Sequence, residues 1–257
     1  MEDYRSMIMK YIILIALIVF NLQANELEIC NTKQKLNNNE IMKCFNAAGK
    51  YIRNNNSKNG IDIHWKLCND GFLLSCNSLG IILSKNKSDI EEAKSLFKYG
   101  CDNQYNDSCN NLAIIYSQEN NMDKAKEFYS KACDYGQSNG CYQLGYIYFN
   151  DNESIADKKK AAPLFEKACN NGNVEACVYL GFMYSNGNGI KQDKYKGKDF
   201  YTKACDKKSG VACVYLGMIY GKGNIVRQDD NIAKELFGKA CDYGIEDGCK
   251  YYKLLSK

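Results

Sequence analysis

The chain has 257 residues, 45% apolar and 25% charged, a balance that excludes a disordered chain and supplies enough apolar surface for an extensive core. The formal net charge is only +4. With lysine and arginine interleaved with aspartate and glutamate along the whole length, nucleic acid is excluded as the expected partner.

The first element is apolar. Tyr11 to Phe20 form an uninterrupted apolar run after Arg5 and Lys10, followed by Leu22-Gln23-Ala24. A membrane-spanning helix needs about 20 such residues, so residues 1–24 read instead as a cleaved signal peptide. The mature chain is then expected to be secreted or periplasmic, without a stable membrane span. Glu2 and Asp3 are unusual at the start of a signal, and Met7 or Met9 would serve as alternative starts. Leu27-Glu28-Ile29-Cys30 has the outline of a lipoprotein box, but Glu28 and Ile29 are poor residues before a lipidated cysteine. Residues 25–60 are expected to form an atypical N-terminal capping region. Residues 61–257 are read as a cysteine-rich helical repeat domain with a C-terminal cap helix.

Fourteen cysteines dominate the composition, and in an exported chain thiols persist as disulfides. Twelve fall in pairs eight apart: Cys68 and Cys76, Cys101 and Cys109, Cys133 and Cys141, Cys169 and Cys177, Cys205 and Cys213, Cys241 and Cys249. The pairs recur every 32 to 36 residues, which is the period of a structural repeat. Cys30 and Cys44 form a wider pair in the capping region.

Other positions recur with the pairs. Three residues after the second cysteine stands Leu79, Leu112, Leu144, Leu180 or Leu216; next comes Gly80, Ala113, Gly145, Gly181 or Gly217; at plus seven lie Tyr116, Tyr148, Tyr184 and Tyr220, with Tyr51 after Cys44. Spacings of three, four and seven mark one face of a helix, here called helix A. Before the first cysteine a second helix, B, carries a small residue at minus eight (Ala93, Ala125, Ala161, Ala233) and large apolar residues at minus five and minus four. The longer A-to-B loops end in Asp193 and Asp229, suited to capping helix B. Pro163 predicts that helix B of its unit starts late or kinks.

Two cysteines eight apart on one straight helix would have Cα atoms ~12 Å apart, beyond the roughly 4.4 to 6.8 Å of a disulfide. The chain must therefore reverse between them, and Asp134-Tyr135-Gly136, Asn170-Asn171-Gly172 and Asp242-Tyr243-Gly244 provide the turn. Each bridge is expected to staple one helix B to the next helix A, and Cys30 is expected to join Cys44. Zinc favours two to four residues between neighbouring thiols and often recruits histidine. The spacing and the single histidine, His64, speak against it, so neither metal nor cofactor is expected. His64, beside Trp65, reads as a packed or surface side chain.

Leu180-Gly181 with Tyr184, the loop Gly187 to Asp193, and Lys203-Ala204-Cys205 closely resemble the Sel-one-like repeat, a relative of the tetratricopeptide repeat. The cysteine pair in each unit is similar to the secreted Helicobacter cysteine-rich proteins. The resemblance runs from Cys68 to Cys249 and implies an all-α, right-handed α/α solenoid of helix-turn-helix repeats with a concave face. Members of that family are often named β-lactamases or penicillin-binding proteins.

Two functions follow as expectations. The first is a scaffold that binds a peptide, a cell-wall component or a protein. If Leu at plus three and Tyr at plus seven face the core, plus two, plus five and plus nine lie nearly opposite, with Asn150, Asn186 and Lys222 at plus nine, and Asn111, Gln143, Tyr146, Tyr179, Phe182, Tyr215 and Met218 are the groove candidates. In the competing arrangement, plus five packs on the neighbouring helix A. If the rings are groove anchors, truncating Tyr179 and Tyr215 would cost binding and leave the melting temperature nearly unchanged. The second function is weak β-lactam hydrolysis. It would need a Ser-x-x-Lys nucleophile, a Ser-Asp-Asn and a Lys-Thr-Gly. Ser84 to Lys87, Ser95 to Lys98 and Lys208-Ser209-Gly210 offer partial matches, and Ser-Asp-Asn does not occur. No catalytic residue is assigned.

Overall fold

The computed structural model describes residues 27–32, 34–54, 57–150 and 155–256; the apolar run Tyr11 to Phe20 and the proposed cleavage point lie outside them. The described residues form an all-α solenoid of successive helix-turn-helix pairs. The chain divides into two compact units, one ending at Ser108 and one beginning at Cys109.

The N-terminal unit contains α1 (Asn38–Arg53), α2 (Ser57–Asn69), α3 (Leu73–Leu83) and α4 (Ile90–Asp102), with a single 3-10 turn at Lys87–Asp89. Asn37 begins α1 with a reciprocal cap: its side chain accepts from the Glu40 N–H while the Glu40 carboxylate accepts from its own. Its core gathers Leu36, Cys44, Ala48, Ile63 and Leu67. α5 (Asn106–Gln118) runs across the division between the units.

The C-terminal unit continues with α6 (Met122–Asp134), α7 (Ser138–Asn150), α8 (Ile155–Asn170), α9 (Val174–Asn186), α10 (Lys194–Asp206), α11 (Gly210–Lys222), α12 (Asp230–Asp242) and α13 (Glu246–Leu254). From α6 to α13 each helix packs on the next. Asp193 and Asp229 cap α10 and α12, accepting from Lys196 N–H at 3.0 Å and Ile232 N–H at 2.9 Å. Between the paired cysteines, Gly136, Gly172 and Gly244 take φ of +88°, +95° and +83°, a left-handed conformation that glycine adopts without a Cβ clash.

The bridges lie across these turns. Cys133–Cys141, Cys169–Cys177, Cys205–Cys213 and Cys241–Cys249 bring Cα atoms to between 4.5 and 4.9 Å, and Cys68–Cys76 to 4.7 Å. Cys30 is joined to Cys44, Cys101 and Cys109 are also oxidised, and no described cysteine is free.

Small residues set how closely A and B approach. Ala125, Ala161 and Ala233 are fully buried. A Cβ added at Gly181 would come within 2.6 Å of the Tyr201 ring, and one at Gly217 within 2.7 Å of Phe237. The ring at minus four of helix B thus occupies the space that glycine leaves on helix A. The tyrosine at plus seven is half-buried against helix B: Tyr184 stacks on Phe200 at 5.6 Å with the Lys196 ammonium 5.5 Å from its centroid, and Tyr116 stacks on Phe128 beneath Lys124.

Of the two outcomes expected at Pro163, the late start is not found: α8 runs through Pro163 as a continuous helix of 16 residues. Pro163 and Lys159 are both exposed, so the Lys159 carbonyl deprived of its N–H partner can be solvated instead.

Candidate functional site

The groove candidates fall into two groups. Asn111 on α5 and Gln143 on α7 are half-buried and border neither of the cavities described below. Tyr146, Tyr179, Phe182, Tyr215 and Met218, from α7, α9 and α11, come together on one strip of the C-terminal unit.

That strip is built from rings on successive A helices and on the B helices beneath them. Tyr179 stacks on Phe165 of α8 with centroids 5.1 Å apart and planes 17° from parallel. Tyr215 stacks on Tyr201 of α10 at 5.0 Å and 20°, and Phe237 and Tyr251 meet at 5.0 Å. The residue at plus two of a helix A therefore lies on the ring at minus four of the preceding helix B, across the disulfide-bridged turn. Tyr146 meets Tyr179 edge-on at 5.7 Å, and Phe149 meets Phe182 at 6.0 Å.

The plus-five rings thus do pack on the neighbouring helix A, while Tyr146 stays 38% and Tyr215 37% exposed. Groove and packing are two sides of the same rings. Tyr179 and Tyr215 cannot then be truncated without thermal cost, because each covers a buried ring.

Two cavities open along the strip. One of about 520 Å³ is bordered by Tyr142, Phe149, Glu175, Val178, Tyr179 and Val211. The other, about 310 Å³, is bordered by Ser185, Asn186, Lys194, Tyr201, Met218 and Lys222. Phe182 and Tyr215 form a wall of both. Their sizes lie in the range that accommodates side chains or small ligands. Burial pushes the Tyr142 hydroxyl up to about 12, helped by Tyr179 and the Glu175 carboxylate, and raises Tyr179 and Tyr201 as well. All are neutral donors near neutral pH. The Tyr142 and Tyr146 hydroxyls both lie close to that of Tyr179. Ser185 Oγ is buried beside the Tyr201 hydroxyl without completing a hydrogen bond.

Sequence reasoning missed Tyr142, Phe149, Glu175 and Lys194. Tyr142, Tyr146 and Phe149 stand at i, i+4 and i+7, the spacing of a single helix face, so a signal for two of them was present. Glu175 and Lys194 sit in first turns and carry no such signal.

The serine motifs are engaged locally. Ser95 Oγ donates to the Glu91 carbonyl at 3.0 Å, and the Lys98 ammonium lies 2.6 Å from Asp102. Ser84 Oγ donates to the Ile81 carbonyl. Lys208-Ser209-Gly210 is a turn and a cap: Lys208 has φ +67° in the place of the turn glycine, and Ser209 Oγ accepts from the Ala212 N–H at 3.4 Å. No group of three or more His, Cys, Asp or Glu among the described residues is placed to hold a metal ion, and no described helix is long and apolar enough to cross a membrane.

His64 is 3% exposed, edge-on to Phe45 at 5.3 Å, with Nδ1 3.3 Å from Ser75 Oγ. Burial lowers its pKa from 6.5. The unfolded chain then binds the proton more readily than the folded one, so this contribution is present above about pH 6.5 and declines as pH falls toward the lowered folded value. Urea midpoints followed across that window should drop in the native chain and drop less in His64→Gln; equal slopes would refute the assignment.

The Sel1 (Sel-one) repeat pattern matches residues 106–136, 138–173, 174–209 and 210–244, more than half of the chain. The chain belongs to the Sel1 repeat family. Among solved structures, a protective antigen of uropathogenic Escherichia coli with an SLR fold is 23% identical over 84% of this chain and 49% of that one, with a TM-score of 0.72. This Sel1 repeat chain spans about half the length of that antigen. A Sel1 repeat protein from Oxalobacter formigenes is 20% identical over 79% of this chain and 87% of that one, at a TM-score of 0.65. The cysteine-rich protein B of Helicobacter pylori is 32% identical over 51% of this chain and 93% of that one, at a TM-score of 0.42. No curated protein matches the chain.

Proposed function

We propose that this Sel1 repeat protein is an exported scaffold that holds a peptide segment of a partner protein on the aromatic strip of its C-terminal unit. The observation that carries this reading is the set of partly exposed rings, Tyr179, Phe182 and Tyr215, that border two adjoining cavities, with Tyr146 edge-on to Tyr179 beside them. Exposed aromatic rings held rigid by neighbours are effective anchors, since little side-chain entropy is left to lose on binding. Export is supported by the bridged cysteines and by residues 1–24 read as a signal peptide.

Selection of displayed random peptides on the oxidised chain tests the reading. Phe182 and Met218 border the cavities without stacking on a buried ring, Phe182 meeting Phe149 edge-on and Met218 packing at the margin of the core, so their truncation costs less stability than that of Tyr179 or Tyr215. Selected peptides are expected to bind Phe182→Ala and Met218→Ala more weakly by at least ~1 kcal/mol each, with a smaller loss of melting temperature than Tyr179→Ala or Tyr215→Ala shows. Peptides that bind both variants as well as the native chain would place recognition elsewhere and end the proposal.

A further inference from the structure

The two cavities differ in charge. The larger is bordered by one ionisable carboxylate, Glu175, and by no basic side chain. The smaller is bordered by Lys194 and Lys222, the amides of Asn186 and Asn224, and by no acidic side chain. Both lysines are exposed, and Ser185, its hydroxyl buried beside Tyr201, is a neighbouring residue of the same cavity. Between the two ends the shared wall of Phe182 and Tyr215 is aromatic.

We propose that these cavities are paired subsites of opposite charge, a carboxylate subsite at Lys194 and Lys222 and a cation subsite at Glu175, which together select a peptide segment carrying apolar side chains between an acidic and a basic residue. The proposal rests on the binding reading above and adds the chemistry of what is bound. Apolar side chains fill the volume on either side of Phe182 and Tyr215. A carboxylate at the smaller cavity gains two ammonium groups and the Asn224 amide. A guanidinium or ammonium at the larger one meets Glu175 with tyrosine faces alongside. A segment with like charges at both ends would place one of them against its own sign. Because the charges that select are exposed, the discrimination is modest and falls with salt.

Four fluorescein-labelled probe peptides with the same pair of apolar anchors test this. They are flanked by one acidic and one basic residue, by two basic residues, by two acidic residues, or by two glutamines. Fluorescence polarisation with the oxidised chain should rank the mixed-charge probe first, about three- to ten-fold tighter than either like-charge probe, with the margin shrinking in high salt. The chain carrying both Lys194→Glu and Lys222→Glu should bind the doubly basic probe best, its far-UV circular dichroism unchanged. If all four probes bind alike, and the lysine changes leave them alike, while Phe182→Ala weakens every one, the charge selection is overturned and the groove reading stands. If the probes bind Phe182→Ala as well as the native chain, both fall. Competition by phosphatidylglycerol vesicles but not by peptide would overturn the proposal in favour of a lipid surface. A concentration-dependent dimer that the lysine changes dissolve would overturn it in favour of a second copy of the chain.

Discussion

Complete reduction of the bridges is expected to unfold the chain in the absence of any denaturant. By the chain-entropy estimate, each short loop closed between cysteines eight apart contributes about 2–3 kcal/mol, and the net stability of a domain is only about 5–15 kcal/mol. The contributions need not add, but removing four from the C-terminal unit takes away as much as the whole margin. A repeat stack is vulnerable here because each helix pair buries its apolar face only against its neighbours. The order of reduction should also be ordered in space. The sulfurs of Cys133–Cys141, Cys169–Cys177 and Cys205–Cys213 belong to buried residues, whereas Cys241 and Cys249 are half-buried at the C-terminal end. Thiol–disulfide exchange requires access for the attacking thiolate. Timed reduction, alkylation and mass mapping should therefore find Cys241 and Cys249 labelled first and the inner pairs only as helicity is lost. A fully reduced chain that kept its far-UV spectrum and a cooperative urea transition would show that helix packing alone carries the fold.

How much of this could be read in advance varies with the distance over which the signal acts. The helix pairs and the bridged turns were legible because period, glycine placement and cysteine spacing are local and repeat. The caps at Asp193 and Asp229 were legible for the same reason. Gly197 was not: it stands at minus eight where other units have alanine, and its missing Cβ makes room for Ser185 Oγ, which would otherwise be 2.2 Å away. The stacking of plus two on minus four was also hidden, since Tyr179 and Phe165 are 14 residues apart and no single-helix periodicity relates them. Once the turn between them is known to be bridged, their meeting is a consequence of the hairpin. Of the charged ends of the groove, Lys222 falls at plus nine on the face already read as opposite the core, whereas Lys194 at a helix start and Glu175 in a first turn stand where composition alone reads as ordinary solvated surface.

Phe165→Ala should be the most damaging single side-chain truncation in the aromatic strip. Phe165 is 0% exposed. It is stacked under Tyr179 at 5.1 Å and touched by Tyr142 at 6.0 Å and Phe149 at 6.2 Å. From the opposite side it fills the space over Gly145, where an added Cβ would lie 3.0 Å from the ring. Truncation removes the ring from all four neighbours and leaves a void that bridged helices can close only in part, so the loss should be about 3–5 kcal/mol. Tyr179→Phe is the matching control. It keeps the ring on Phe165 and removes only the hydroxyl beside those of Tyr142 and Tyr146, for at most about 1.5 kcal/mol. Tyr179→Ala should fall between them, because it uncovers Phe165 without emptying the core. Urea unfolding of the three variants, followed by circular dichroism, gives the order directly. Hydrogen exchange would show whether the loss begins in α8 and α9, as nearest-neighbour coupling in a repeat stack requires. A shift below ~1 kcal/mol for Phe165→Ala would mean that the rings of the strip are held by the bridged turns rather than by the buried ring beneath them.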